Sequence, residues 1–188
     1  NDSAYETAIE FKKSGIEPIV LDTREDQNSE LIKEAKEMNI SIKFCHAVIA
    51  ANGYKKVKSA TIGKLNNDKT EFETTEIINC DCICVSGFWT PTVHLASQSG
   101  NKLRFNDKID AFVPDKSKQN ENSIGSSNGT FTLKETLENS FKLGLEVSNK
   151  ITKKNEHIQL PNTNERRYST HDKFWCSPLP KGKNYKRF

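Results

Sequence analysis

The chain has 188 residues, 34% of them hydrophobic and 28% charged, with a formal net charge of +3. That length suits one domain or parts of two. Lys and Arg alternate with Asp and Glu along the chain instead of forming a basic stripe, which argues against nucleic acid as a partner. No apolar run is long enough to span a bilayer as a helix, and no leader is visible. Five cysteines in no framework spacing favour a reducing, cytoplasmic setting.

Residues 3–14 read as a helix with Tyr5, Ala8, Ile9 and Phe11 on its apolar face and Gly15 just past its end. Asp2 and Ser3 stand where an N-cap is expected. Residues 18–21 form a short apolar strand ending at Asp22. Asn28 or Ser29 then caps a helix through Met38, with Leu31, Ile32, Ala35 and Met38 on one side, and residues 41–45 give the next parallel strand. This is a βαβαβ pattern that starts on a helix. A Rossmann unit has a strand before that helix, so the chain reads as a fragment of a longer protein.

From residue 47 the period changes to two. Residues 47–51 form a strand, Asn52-Gly53 a two-residue turn, and residues 55–62 alternate. Asn66-Asn67-Asp68 marks a second turn and residues 70–77 a third strand, giving an antiparallel meander over about 46–77. Residues 83–85 are expected to return to the parallel sheet, with Cys80, Cys82 and Cys84 on one strand face as small buried hydrophobes. Their spacing matches neither a zinc knuckle nor a C-x-x-C redox pair. Ser86-Gly87 ends that strand, and Thr90-Pro91 offers a helix start, Thr90 as cap and Pro91 at the first helical position. A strand, a tight turn and a helix bring backbone close to ligands in nucleotide-binding α/β folds. Trp89 stands at this strand end, where it either packs or lines a nucleotide crevice.

Residues 102–105 and 111–113 are short strands, 115–123 a polar loop, and 124–129 a turn rich in Gly and Ser. Residues 131–150 follow as a helix with Leu133, Leu137, Phe141, Leu145 and Val147 near helical spacing. From 151 to 188 the chain is polar and irregular, a linker or an arm toward a neighbouring domain.

Several residues are candidates for binding. Asp22 ends the second strand about twenty residues past the helix start, where a Rossmann unit places its ribose acid; an Asx turn or helix cap uses the same residue. Arg24, two residues on, suits a phosphate, an adenine face or solvent. The phosphate-loop position carries no glycine, and Asp2 there opposes a pyrophosphate. Gly125, Ser126, Asn128 and Gly129 are able to present N–H groups to a pyrophosphate or ribose, or to serve as a helix cap with a tight turn. None of His46, His94, His157 and His171 has a partner at diagnostic spacing for catalysis, and no metal set is evident. No catalytic residue is assigned.

Asp2-Ser-Ala-Tyr5, Cys82–Ser99 and Gly125-Ser-Ser-Asn-Gly129 together resemble the alpha subunit of heterotetrameric sarcosine oxidase, whose middle region is built like a pyridine-nucleotide–disulfide oxidoreductase. The resemblance runs to about Lys150 and resumes around Trp175 to Phe188. It implies an α/β, Rossmann-like three-layer fold with an inserted antiparallel meander. Residues 1–99 would be a nested NAD-domain-like unit, 100–150 the C-terminal part of the outer dinucleotide domain, and 151–188 the arm. FAD enzymes of this class usually carry a Gly-Asp pair where this chain has Gly125-Ser126, which matches an outer domain holding NAD. The resemblance further implies beta, gamma and delta partner subunits, with FAD and FMN in the beta subunit. It implies a small amine substrate, demethylation of sarcosine to glycine, and transfer of the one-carbon unit to tetrahydrofolate, with no active centre inside these residues. Two alternatives stand beside it: an NAD(P)H-dependent FAD oxidoreductase of the disulfide-reductase fold, and a vestigial Rossmann interaction module of a related opine, proline or glycine oxidase complex.

Overall fold

The computed structural model describes residues 1–87, 89–152, Gln159 and residues 162–163. They form a mixed α/β structure whose chain divides into two compact units at Gly87. The arm expected from 151 onward lies almost entirely outside the described residues, as do His157, His171 and Trp175.

The first unit opens with α1 (Ser3–Lys13), β1 (Ile19–Asp22), α2 (Glu30–Glu37) and β2 (Ser41–Phe44). β1 and β2 pair in parallel, from Ile19 opposite Ser41 to Asp22 opposite Phe44, with α2 as the crossover. Their shared core is Tyr5, Ala8, Ile9, Val20, Leu31, Ile32, Ala35 and Ile40, with Met38, Ile42 and Phe44 packed against it. The sequence dictates both helix ends. Ser29 Oγ accepts from the Ile32 N–H at 3.3 Å, an N-cap. At the end of α1 Gly15 adopts φ +82°, and the N–H groups of Gly15 and Ile16 donate to the carbonyls of Lys12 and Phe11. Asn39, at φ +56°, closes α2 in the same way.

The meander follows as β3 (His46–Gly53), β4 (Val57–Leu65) and β5 (Phe72–Asn79), antiparallel in the order β3-β4-β5. Cys45, at φ +56°, turns the chain between β2 and β3. The first reversal differs from expectation. Asn52-Gly53 lies inside β3 beside a register shift, and Gly53 pairs with Val57, so residues 54–56 make the turn. A Cβ on Gly53 would lie 2.0 Å from the Lys56 carbonyl oxygen, so the glycine is there to let the returning strand close. Asn66 builds the second turn: its side-chain oxygen accepts from the N–H groups of Thr70 at 2.8 Å and Glu71 at 3.1 Å. Ala60, Ile62 and Leu65 are buried along β4.

Residues 83–85 are not a strand, contrary to expectation. A strand exists only where a neighbour accepts and supplies its backbone hydrogen bonds, and along residues 81–85 no described residue does so. Cys82 and Cys84 are accordingly exposed, and only Cys80 is half-buried, instead of three buried hydrophobes on one strand face.

The second unit holds α3 (His94–Gln98), an antiparallel pair of β6 (Leu103–Asn106) and β7 (Ala111–Pro114), a short 3-10 helix (Gly125–Asn128) and α4 (Leu133–Thr152). α3 begins three residues after the expected Pro91 start, with Val93 as its N-terminal flank and no side-chain cap. The Pro91 carbonyl instead accepts from the Val93 N–H at 3.0 Å, a local turn that uses up the intervening residues. The polar loop after β7 is anchored rather than loose. Glu121 accepts from Ser99 Oγ at 2.6 Å and from the Asn101 side-chain amide, and Asn101 accepts from the Lys118 N–H at 3.0 Å. α4 starts on Thr132, whose hydroxyl accepts from the Glu135 N–H and bonds the Glu135 carboxylate. None of its side chains is fully buried among the described residues.

Candidate functional site

The sequence-derived candidates gather in two places, one in each unit. In the first, Asp2, Tyr5, Asp22 and Arg24 form a buried charge cluster where α1 begins and β1 ends. Asp2 is fully buried, and Asp22 and Arg24 are 7% and 6% exposed. Asp22 Oδ1 accepts from the Arg24 N–H at 2.9 Å and from its Nε at 3.0 Å. Oδ2 accepts from the Tyr5 hydroxyl at 2.6 Å and from Arg24 Nη2 at 2.8 Å. The same Nη2 reaches Asp2 Oδ1 at 2.7 Å. One guanidinium thus bridges two buried carboxylates, balancing one of their two charges and bonding both.

Burial pushes the Asp22 carboxyl up, but the donors from Arg24 and Tyr5 outweigh it and hold it below the ordinary aspartate value. The Tyr5 hydroxyl moves well above the usual phenol value, first through burial and then through its bond to Asp22. Burial disfavours the Arg24 cation, but the bonds to Asp22 and Asp2 prevail and its ordinary value is raised further.

Asp2 does not cap α1, as the sequence led us to expect; its side chain makes no cap bond. Asn1 takes that role. Its side-chain oxygen accepts from the Ser3 N–H at 3.0 Å and from the Ser3 hydroxyl at 2.6 Å. Ser86 joins the same knot, with its hydroxyl 2.7 Å from that of Ser3 and donating to Asn1 at 3.1 Å, while the Asn1 amide donates to the Gly87 carbonyl at 3.2 Å. The tie between the helix start and the Ser86-Gly87 segment could not be read from spacing, because its members lie more than eighty residues apart.

The second place is the turn before α4. Gly125 opens the 3-10 helix and Gly129 follows it, at φ +66° and +78°, conformations that residues with side chains rarely adopt. Gly129 has a packing reason as well. A Cβ there would fall 2.6 Å from Ile109 Cδ1 and 3.0 Å from Val113 Cγ1. The carbonyls of Gly125 and Ser126 are used within the turn, accepting from the N–H groups of Thr130 and Gly129. The N–H groups of Gly125 and Ser126, at the helix start, make no backbone bond to another described residue. Ser126 and Asn128 are exposed and segment 124–129 carries no charged side chain. Beside the turn Trp89, Thr90, Ser126 and Phe131 line an open notch of about 410 Å³. The Trp89 and Phe131 rings meet at 5.9 Å between centroids, tilted by 60°.

The turn offers backbone donors, no carboxylate within 124–129 and an aromatic edge. At Asp22 both oxygens are already taken by internal donors. Elsewhere, the ring Nδ1 of His46 lies 2.6 Å from the Phe44 carbonyl oxygen, and His94 opens α3. No cluster of three metal-ligating side chains occurs among the described residues. No described helix is long and apolar enough to cross a membrane.

No family model matches the chain. Among characterised proteins it is similar to two proteins named sarcosine oxidase subunit alpha. One, from Corynebacterium sp. strain P-1, is 29% identical over 146 residues, 77% of this chain and 15% of that protein. The other, from Corynebacterium sp. strain U-96, is 26% identical over 132 residues, 69% of this chain and 13% of that protein. The chain therefore corresponds to about one-seventh of the length of these relatives, which accords with its reading as a segment of a sarcosine oxidase alpha-type subunit.

Proposed function

We propose that this chain is a nucleotide-holding scaffold of an alpha-type subunit in an amine-oxidising complex, and that its nucleotide seat is the turn Gly125–Gly129. The similarity to sarcosine oxidase alpha subunits supports the subunit class. The observation that carries the seat is the pair of positive-φ glycines framing a 3-10 start whose N–H groups are unpartnered beside an exposed Ser126 and Asn128. Gly125 and Ser126 would donate backbone N–H groups to a pyrophosphate, Asn128 would bond a ribose or phosphate oxygen, and Gly129 would keep the turn tight. Trp89 and Phe131 would supply an apolar wall for a planar ring. NAD, when bound in the parent, would bring hydride chemistry, but nothing in this chain is assigned to a redox step. In this reading residues 1–99 are a nested Rossmann-type unit and 100–150 the tail of an outer dinucleotide domain. FAD and FMN serve a beta subunit, tetrahydrofolate serves parts of the complex outside this chain, and gamma and delta subunits complete the assembly. A small secondary amine such as sarcosine is the substrate of the whole.

The first unit fits a second reading, as a Rossmann shape retained for structure and interaction. The observation is that Arg24 fills the space a ribose or phosphate would need at Asp22 and Asp2. Asp22 and Arg24 then lock α1 to β1, and a ribose role for Asp22 requires Arg24 to swing away.

Titration calorimetry of the full chain with NAD tests the seat. Asn128→Asp places a carboxylate beside the pyrophosphate position and leaves no described hydrogen bond broken. It is expected to weaken binding by about tenfold or more, or about 1.4 kcal/mol. Equal affinity for both proteins would move the nucleotide elsewhere.

A further inference from the structure

We propose that Cys82 and Cys84 form a reversible dithiol–disulfide pair, oxidised by a low-molecular-weight disulfide such as that of glutathione. The two sulfurs lie 3.8 Å apart and both side chains are exposed. A disulfide needs about 2.05 Å between sulfurs, so closure is a movement of about 1.75 Å, within reach of side-chain rotation. In a fully extended strand two residues span about 6.6–6.8 Å, the upper limit for bridged Cα atoms. Here the segment is not a strand, and residues 81–85 make no backbone hydrogen bond to another described residue, so nothing holds the span at that limit.

The pair sits on a tethered span. The Cys80 N–H donates to the Lys58 carbonyl at 3.1 Å on one side. On the other, Ser86 and Gly87 are tied to Asn1 and Ser3 at the start of α1. Shortening the Cys82–Cys84 span therefore pulls on the knot that caps α1.

The two thiols lie at weak hydrogen-bonding distance, and that contact raises the Cys84 thiol above its ordinary value, with burial adding a little. Either thiol is able to begin the exchange, which balances equally with the roles reversed; Cys82 serves as the example. Its thiolate attacks one sulfur of the small disulfide, whose S–S bond breaks and whose other half leaves as a thiolate and takes a proton. Cys84, as thiolate, then attacks the Cys82 sulfur of the mixed disulfide and expels the second small thiol. The protein loses two hydrogens and two electrons, and one small disulfide becomes two thiols.

The test equilibrates the full chain in glutathione buffers of rising oxidised fraction, quenches with acid, alkylates and digests with trypsin. The peptide 70–102 contains Cys80, Cys82 and Cys84. The wild-type peptide should lose two hydrogens and two alkylation sites, with fragment ions bounding the bridge at Cys82 and Cys84. Cys80→Ser should keep the bridge. Cys84→Ser should stop at one glutathione on Cys82. The proposal is overturned if the wild-type peptide keeps three alkylatable thiols in fully oxidised glutathione, if it stops at the glutathione adduct, or if the bridge survives in Cys84→Ser.

Discussion

The buried cluster shows how one residue can settle what a motif cannot. Asp2 and Asp22 are acceptable in a core because Arg24 reaches both. Arg24→Met would leave two carboxylates without their cation, and breaking such a buried pair typically costs 3–5 kcal/mol. Denaturant unfolding of the variant is expected to show a loss of about that size, and Asp2→Asn a smaller one. The cluster also sets a pH dependence. The Asp22 carboxyl in the folded chain lies below the ordinary aspartate value, so the unfolded chain binds its proton first as pH falls. The stability this group supplies is complete above an unfolded value of about 3.9 and drains away as pH drops through the folded value. Thermal melts between pH 6 and pH 3 should show the wild type losing more stability on acidification than Asp22→Asn; parallel curves would remove Asp22 from the account. Asp22 was legible as a candidate from its place at a strand end. Its partner at Asp2 was not, because a charge pair twenty residues apart leaves no periodic trace.

Among elements, those with local causes were readable and those that depend on a neighbour were not. The Ser29 cap, the Gly15 end of α1 and the Asn66 turn all follow from residues acting within a few positions of themselves. The 83–85 strand failed because its alternation says nothing about whether a partner edge is present. Asn52-Gly53 was read as the turn because that pair favours one, whereas the structure uses Gly53 for close approach and turns at residues 54–56. Within the meander Gly63 is the sensitive point. A Cβ there would lie 2.5 Å from the Phe72 ring and 2.7 Å from Ile49 Cδ1. Gly63→Ala should destabilise the sheet by about 1–3 kcal/mol, read as lost amide protection across β3, β4 and β5. Unchanged protection would show that Phe72 and Ile49 yield freely.

For the whole molecule, the two units divide the expected labour unequally. The first carries a filled charge lock where a Rossmann unit would bind, and the second carries an open turn with unpartnered N–H groups. No cluster of three metal-ligating side chains occurs among the described residues. The scaffold reading predicts that the chain alone gives no sarcosine-dependent peroxide, measured by a coupled peroxidase assay; turnover by it would overturn that reading. The glycines of 124–129 were visible in the sequence, but Trp89 as a neighbour of that turn was not, since thirty-six residues separate it from Gly125. The most direct measurement of the central claim is a titration of the isotopically labelled full chain with NAD, followed by amide resonances. Shifts should gather at residues 125–129 and at the Trp89 indole, with Asn1 to Tyr5, Asp22 and Arg24 unmoved. Shifts centred on the α1 start and Asp22, with the 125–129 turn silent, would contradict the account and return the nucleotide to the first unit.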